Sequence, residues 1–245
     1  MNKTKKNLFF PCAVQAALIC LVVLYLMAPL FAASGSVEQG KEDAELQRVL
    51  NKMDAIAKTF RSFTAKFSQK KYTAVLKEFD APETGEFFYS RTKEGLLLIR
   101  HEVLSPGKRI TTVKGETGTV YRPAIKEAQI VRREKMQSVV EYLAVGIGRS
   151  SEKLRERFKV SYRGRESINN SLCSILVLVP KDPKVGLESI EVWLKESNGT
   201  PAQYKFQEPS KDYLLISFSN EKLNTKIPAS KFEQKLPAGV EIQKY

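Results

Sequence analysis

The sequence predicts an α+β fold: a strongly curved antiparallel sheet, an incomplete and half-open β-barrel, covered by amphipathic helices. Residues 44–60 place apolar side chains at steps of three and four, which indicates an amphipathic helix. From residue 63 to residue 220, short segments with apolar residues at alternate positions indicate about ten strands. Helical segments at 136–145 and 150–158 interrupt these strands. Because a sheet of this width curls, the helices are expected to cover its apolar concave face.

The amino terminus has the layout of an export signal. Lysines 3, 5 and 6 precede an uncharged apolar stretch, and small residues follow at 32–35. This order is typical of a secretory signal over residues 1–33. The apolar stretch is also long enough to cross a bilayer if it is not cleaved, so an N-terminal anchor fits as well. In both cases the protein functions outside the cytoplasm, with residues 34–43 as a linker and 44–245 as a single domain.

The strands follow the first helix in close succession. The first begins at Phe63, where Phe63, Ala65 and Phe67 alternate with polar residues, and it runs toward Glu78. Further strands are expected at 85–91, 95–104, 108–114, 119–122, 125–132, 159–165, 172–180, 187–196, 201–208 and 211–220. The helical segment at 150–158 has Ser150 or Ser151 as its N-cap.

The chain is basic, with 40 Lys and Arg against 27 Asp and Glu and a formal net charge of +13. Outside the cytoplasm this charge favours lipid headgroups or an acidic partner, and that location argues against nucleic acid as a ligand. The same lysines also fit a simpler role in keeping the surface soluble and the strand edges unpaired. Beyond the signal only Cys173 is left, in an apolar stretch, which indicates a buried and unreactive thiol.

The residue inventory argues against an enzyme. His101 is the single histidine of the chain, so a histidine-based triad or a multi-histidine metal site is excluded by counting. It lies in an apolar strand and is expected to be half-buried there. No catalytic or metal-binding residues are predicted, and no cofactor is expected.

Five segments together resemble the outer-membrane lipoprotein carriers of the periplasm, the LolA-like family. They are SFTAKFSQ at 62–69, GEFFYSR at 85–91, TTVKGETGTVYRP at 111–123, LESIEVWLKESNGTPAQYKF at 187–206, and ISFSNEKLNTKIPASKFEQKLPAGVEI at 216–242. The resemblance covers roughly residues 44–243. This chain departs from the family pattern at Thr92, where the family usually has proline, and at Lys114, where it has an acidic residue before glycine.

The resemblance implies a periplasmic carrier that binds lipoprotein acyl chains, or a related lipid, in a hydrophobic cavity. It implies an inner-membrane exporter as donor and an outer-membrane acceptor as recipient. A sensor of mislocalised lipoproteins, acting in envelope stress signalling, is the alternative within the same superfamily, and an enzyme of that superfamily is a further one. We expect a monomer.

The candidate cavity residues lie on the concave face of the sheet, by alternation, and on the helical segment predicted at 136–145. They are Phe63, Phe67, Phe87, Tyr89, Leu98, Val140 and Leu143. Permanent core packing explains the helical residues equally well. Arg91 shares a face with Phe87 and Tyr89, and the resemblance implies that it latches the helical lid by binding backbone carbonyls. A strand-end arginine that reaches solvent is the other interpretation.

Overall fold

The computed structural model describes residues 32–132, 142–143 and 146–245. Of the predicted signal at 1–33, residues 1–31 lie outside the described residues, as do Val140 and most of the predicted helical segment at 136–145. Residues Met1–Ala44 and Glu45–Tyr245 are separate compact units. All buried core residues that the structure describes belong to the second unit, so this part of the chain has a core of its own.

Helix α1 extends over Ala32–Thr59. The prediction that it starts at Ala44 is wrong by twelve residues, and the segment 34–43, predicted to be a linker, is helical. The physical reason is visible in the composition of this segment. Glu38, Gln39, Lys41 and Glu42 are good helix formers, so a polar stretch without apolar periodicity can still continue a helix.

The described strands form one sheet. They are β1 (Ser62–Thr73), β2 (Glu78–Phe79), β3 (Glu83–Arg91), β4 (Leu97–Ser105), β5 (Arg109–Lys114), β6 (Thr117–Arg122), β7 (Glu127–Arg132), β8 (Phe158–Ile168), β9 (Ser171–Pro180), β10 (Ser189–Lys195), β11 (Pro201–Gln207), β12 (Tyr213–Leu223) and β13 (Glu241–Lys244). A short helix, α2 (Ser151–Arg157), precedes β8. Three single 3-10 turns lie at Pro123–Ile125, Pro183–Val185 and Ala229–Phe232.

Sheet topology joins the two halves of the chain through its first and twelfth strands. The order is β13-β7-β6-β5-β4-β3-β1-β12-β11-β10-β9-β8, and β2 pairs with β1. The long antiparallel pairing of β1 with β12, for example Phe67 opposite Phe218, connects residues far apart in sequence. The β13–β7 pair is parallel. Among the described residues, β8 and β13 are the two ends of this order and do not pair, so the sheet is not closed.

The sheet is strongly curved, as predicted. Leu104 at the end of β4 and Asn169 in the turn after β8 line the same cavity, which has a volume of about 480 Å³. These two strands are seven positions apart in the sheet order. In a flat sheet they would be separated by about 30 Å, which is far more than the width of such a cavity. The sheet therefore bends its two halves toward each other.

One large core lies against the concave face of the sheet. Helix α1 contributes Val49, Leu50 and Met53, which are almost fully buried. The strands contribute inward side chains from both halves of the sheet, including Val113 of β5 and Leu176 of β9, to the same cluster. The helix is therefore a cover over the concave face, as its periodicity predicts.

Helix α2 confirms the helical segment predicted at 150–158. Ser150 is its N-cap, and its hydroxyl accepts a hydrogen bond from the Lys153 amide at 3.4 Å. Asp54 of α1 accepts hydrogen bonds from the amide and the hydroxyl of Ser151, at 2.6 and 2.7 Å. These bonds attach the start of α2 to the last turns of α1.

Candidate functional site

Aromatic rings from three adjacent strands form the centre of the concave face. Phe63 of β1, Phe87 of β3 and Phe218 of β12 contact one another, with ring centroids 5.7 to 6.2 Å apart. All three are almost completely buried. Alternation along each strand points these rings inward, so the interior under α1 is apolar and rich in aromatic side chains.

Five of the predicted cavity residues share this interior. Phe63, Phe67, Phe87, Tyr89 and Leu143 are buried members of the one core cluster. Their shared position follows from the alternation that predicted it for the strand residues. That this interior admits an acyl chain stays a prediction.

The prediction for Leu98 is wrong. Leu98 is opposite Ser90 of β3 and Lys114 of β5, on the convex face of the sheet. Leu97 and Ile99 have the inward positions and belong to the core cluster. The four residues at 96–99 are all apolar, so no alternation with polar residues shows which of them face inward.

His101 is buried, and not half-buried as expected. It follows Leu97 and Ile99 on the concave face, and its ring stacks on Phe67 with centroids 4.3 Å apart. Its Nε2 atom has no hydrogen-bond partner among the described residues. Burial, with a smaller contribution from the positive charge of Arg109, lowers the pKa of His101 to about 3. The imidazole is therefore neutral and acts as a flat apolar ring.

Leu143 is attached to the sheet by a buried hydrogen bond. The Tyr204 hydroxyl of β11 donates to the Leu143 carbonyl at 3.1 Å, and both residues are fully buried. Burial raises the pKa of Tyr204 well above its usual value, so the hydroxyl keeps its proton and stays a donor. Sequence reasoning found Leu143 but missed Tyr204, which the alternation of β11 marks only as an inward residue.

A cavity of about 780 Å³ opens at the edge of this core, beside Arg91. Its walls come from the end of α1, the β3–β4 hairpin and the segment before α2, and include Asp54, Lys58, Leu97 and Gly148. Charged and apolar groups therefore meet at one opening. Its position, between the end of α1, the start of α2 and the apolar core, is where a ligand with a polar head and an apolar tail would fit.

Arg91 lines this opening. Its Nη2 donates a hydrogen bond to the Tyr89 hydroxyl at 3.2 Å, and the side chain is partly buried. The expected acceptors were backbone carbonyls of a helix or loop. Among the described residues, the acceptor of the guanidinium is instead the Tyr89 hydroxyl. The role of Arg91 as a lid latch stays a proposal.

Charged residues also attach α1 to the sheet at its other side. Arg48 binds both carboxylate oxygens of Glu196, at 2.7 and 2.9 Å, and contacts Glu45 at 2.9 Å. Ser174 and Lys52 add hydrogen bonds to Glu196. The Arg48 guanidinium lowers the pKa of Glu196 to about 2. We refer to Glu45, Arg48, Lys52, Ser174 and Glu196 as the α1 clasp; no sequence signal pairs residues this far apart.

The described residues hold no group of three or more His, Cys, Asp or Glu side chains with metal-site geometry. Cys173 is buried, and burial raises the pKa of its thiol, as expected for an unreactive cysteine. In the part of the chain that the structure describes, no helix combines the length and apolarity that crossing a bilayer requires.

Comparison with known families identifies the class of this protein. The family described as outer membrane lipoprotein carrier protein LolA matches residues 58–235, well over half of the chain. The chain therefore belongs to the LolA family. No curated protein matches this chain.

Solved structures agree with the fold at low sequence identity. MucB matches with a TM-score of 0.50 at 11% identity, covering 82% of this chain and 66% of that chain. An uncharacterized conserved protein from Thermus thermophilus also matches with a TM-score of 0.50 at 11% identity, covering 81% and 98%. The MucA/MucB complex of Pseudomonas aeruginosa gives 0.47 at 11% identity, covering 78% and 61%. This chain spans 59–66% of the matched chain in the three MucB-containing structures.

Proposed function

We propose that this protein is a periplasmic carrier that binds lipoprotein acyl chains, or a related lipid, and shuttles them toward the outer membrane. Membership in the LolA family supports this function. The observation that carries the proposal is the apolar, aromatic interior between α1 and the concave face, which has a cavity at its edge. No covalent chemistry and no cofactor is needed, consistent with a family of carriers.

Burial of the acyl chain supplies the driving force. Each methylene transferred from water into an apolar interior contributes about 0.8 kcal/mol. The interior is closed by side-chain packing and by the Tyr204–Leu143 hydrogen bond, and admitting a chain breaks some of these contacts. Their loss offsets part of the gain, which keeps binding reversible and suits a protein that must release its cargo.

Arg91 has the position of a latch in this scheme. It lines the opening together with residues of α1 and of the segment before α2. The Tyr89 hydroxyl, on the same strand, holds the guanidinium at the rim of the apolar core. This bond does not itself join the covering segments to the sheet. The latch proposal rests on the position of Arg91 beside these segments: we propose that Arg91 binds them when they close over the unloaded interior and so favours the closed form.

The direct test is mass spectrometry of lipids that co-purify with residues 34–245 from the periplasm of the source organism. We expect lipoprotein acyl chains or phospholipid at near-stoichiometric amounts. Leu143→Asp is expected to reduce bound lipid strongly, because a carboxylate in an acyl site is poorly solvated. Leu104→Asp is the matched control, since Leu104 is 49% exposed. Absence of lipid in the wild-type protein, before and after incubation with labelled lipoprotein, would refute the carrier function.

A stress sensor is the second candidate, and the MucB likeness is the observation that favours it. A sensor would use the same interior but would report cargo to a membrane signalling protein. Crosslinking in cells, followed by identification of the captured proteins, distinguishes the two functions. Capture of a transmembrane regulator that is released by lipoprotein favours the sensor, and capture of an outer-membrane acceptor favours the carrier.

A further inference from the structure

The β1–β2 hairpin ends in an apolar tip that points into solvent. Its four turn residues are 74–77, Ala-Val-Leu-Lys, and Val75 is 89% exposed and Leu76 66% exposed. Hairpin turns are usually built from Gly, Asn, Asp, Ser or Pro, which satisfy the backbone and are well hydrated. Val75 and Leu76 are adjacent and largely uncovered by the described residues, and together they form a small apolar patch of the kind that marks an interaction site.

The tip is held in place by its base. The Ala74 amide donates to the Asp212 carboxylate at 2.8 Å, and the Asp80 amide donates to the Lys71 carbonyl at 2.8 Å. Lys77 adopts the left-handed conformation with φ of 56°, which completes the turn. The exposure of Val75 and Leu76 is therefore a property of a defined turn.

Three aromatic rings surround the base of this tip. Tyr72 stacks on Tyr213 with centroids 4.8 Å apart, and Phe79 packs edge-on against both, at 5.1 and 5.8 Å. We call Tyr72, Phe79 and Tyr213 the aromatic collar. Lysines lie over its rings: the Lys70 ammonium is 4.0 Å from the Phe79 centroid, and the Lys205 ammonium is 4.6 Å from that of Tyr213.

From the tip to the base, the hairpin presents first aliphatic side chains and then aromatic rings with lysines, which is also the order of layers at a bilayer surface. Aliphatic side chains at the tip would enter the acyl region, and amphipathic rings with lysines beside them would lie at the headgroups. Between residues 70 and 79 there are three lysines and one acid, Glu78, so anionic headgroups are favoured. Acids also lie close by: Asp80 follows the hairpin, Lys71 pairs with Glu208 and Asp212, and Asp212 accepts the Ala74 amide at the start of the tip.

A protein partner fits the tip less well. Stable protein interfaces bury roughly 1,200–2,000 Å² with complementary shape, whereas this feature is a narrow projection with two aliphatic side chains. A bilayer requires no complementary groove and accepts a projection of any outline. We therefore propose that the tip, Val75 and Leu76, inserts into the surface of an anionic phospholipid bilayer and places the carrier against the membrane. This inference does not depend on cargo binding.

The experiment is flotation of residues 34–245 with protein-free vesicles of phosphatidylglycerol and phosphatidylethanolamine. The double variant Val75→Ser, Leu76→Ser is expected to lose about tenfold or more in vesicle affinity. Its melting temperature is expected to match the wild type, because both side chains are exposed. Ile125→Ser is the matched control: Ile125 is 62% exposed in a 3-10 turn outside the hairpin, and its loss should leave binding unchanged.

An environment-sensitive dye on Leu76→Cys gives a second readout. Cys173 is buried, so the label is directed to the tip. We expect a blue shift on addition of anionic vesicles. Equal vesicle affinity of the double variant and the wild type would overturn the proposal, because binding would then come from the net charge alone. Failure of the wild-type protein to bind protein-free vesicles would also overturn it, and would favour docking onto a protein.

Discussion

Gly85 lies where β3 passes close to β4 and to the Phe67 ring. A Cβ at this position would overlap the backbone carbonyl of Glu102, and it would lie 2.7 Å from Cζ of Phe67. The carbonyl belongs to a paired strand and cannot move alone. We expect Gly85→Ala to lower the free energy of unfolding by about 2–3 kcal/mol, measured by urea denaturation.

Gly107 provides the control for this substitution. A Cβ there would meet no atom within 4 Å, so Gly107→Ala should change stability by less than about 0.5 kcal/mol. If both variants lost similar amounts of unfolding free energy, the close approach at Gly85 would not be the cause of the loss in Gly85→Ala.

His101 predicts a loss of stability in mild acid. Its pKa is about 3 in the folded protein, whereas an unfolded histidine titrates near 6.5. Between these values the unfolded chain binds more protons, so this contribution to stability falls as the pH falls from 6.5 toward 3. At pH 5 the loss is about 2 kcal/mol relative to pH 7.5.

The variant His101→Leu isolates this contribution from that of the carboxylates. Urea denaturation at pH 7.5 and at pH 5 should show that the stability of the variant, relative to the wild type, improves by about 2 kcal/mol on acidification. At pH 7.5 the variant should fold normally, because the Nε2 atom it removes has no partner among the described residues. An unchanged difference at the two pH values would mean that His101 is protonated in the folded state.

At the residue scale, alternation predicts facing well only where polar residues separate the apolar ones. Phe63 and Phe67, separated by Lys66 and other polar residues, are inward as predicted. His101 lies between Arg100 and Glu102, and the pattern does not show how deeply its ring is buried. Leu98 is mispredicted because it belongs to the apolar run 96–99, where period two has no contrast. There the register with β3 decides which side faces the core.

At the element scale, the α1 clasp predicts a measurable attachment of the helix. Arg48→Met is expected to lower the free energy of unfolding by about 1–2 kcal/mol, since a bidentate pair is lost while the Arg48 side chain is 39% exposed. Urea denaturation at low salt measures this loss. Lys153→Met, which removes the exposed pair with Glu156, is the matched control and should cost no more than about 0.5 kcal/mol.

The pH dependence of the clasp has a defined sign. The pKa of Glu196 is lowered from 4.5 to about 2 in the folded protein. Its stabilising contribution is therefore complete above pH 4.5 and is lost as the pH falls toward 2. In Arg48→Met, the loss of unfolding free energy between pH 4.5 and pH 2 should be smaller than in the wild type. Identical acid unfolding of the variant and the wild type would show that the clasp does not stabilise the helix.

Most elements could be predicted from the sequence, and the exceptions have physical causes. The sequence predicts that β1 runs toward Glu78, but the strand ends at Thr73. Residues 74–77 form a turn without any of the usual turn residues, so the pattern does not mark the end of the strand. β13 was missed because its four residues, Glu-Ile-Gln-Lys, are too short to show a period. Its pairing with β7 is parallel and supplied by tertiary structure.

At the scale of the whole molecule, the proposed latch role of Arg91 leads to a prediction for the rate at which cargo is released. Arg91→Leu removes the guanidinium from the opening and leaves an apolar side chain that can seal it. We expect the variant to load labelled lipoprotein but to release it to acceptor membranes more slowly than the wild type. Release at the wild-type rate would show that Arg91 is not a latch. The matched control is Arg122→Leu, a strand-end arginine on β6 paired with Glu127.

The fold class could be predicted because local pattern and family resemblance agree, and the LolA family match confirms the resemblance. The site could be predicted only in part. Its inward aromatic rings follow from alternation, whereas the Asp54–Ser151 and Tyr204–Leu143 contacts join residues 97 and 61 positions apart. Such contacts depend on how the curved sheet brings its covers together, which no local pattern records.

The open order of the sheet has a mechanical consequence. Among the described residues, β8 and β13 end the sheet without pairing to each other, so the curvature is not fixed by ring closure. A closed barrel of given strand number and stagger has a set diameter. An open sheet can change its radius of curvature while every hydrogen bond between its strands stays intact. Widening the interior then strains only side-chain contacts. Under the proposed carrier function, we therefore expect the same backbone to accept acyl chains of different length and number.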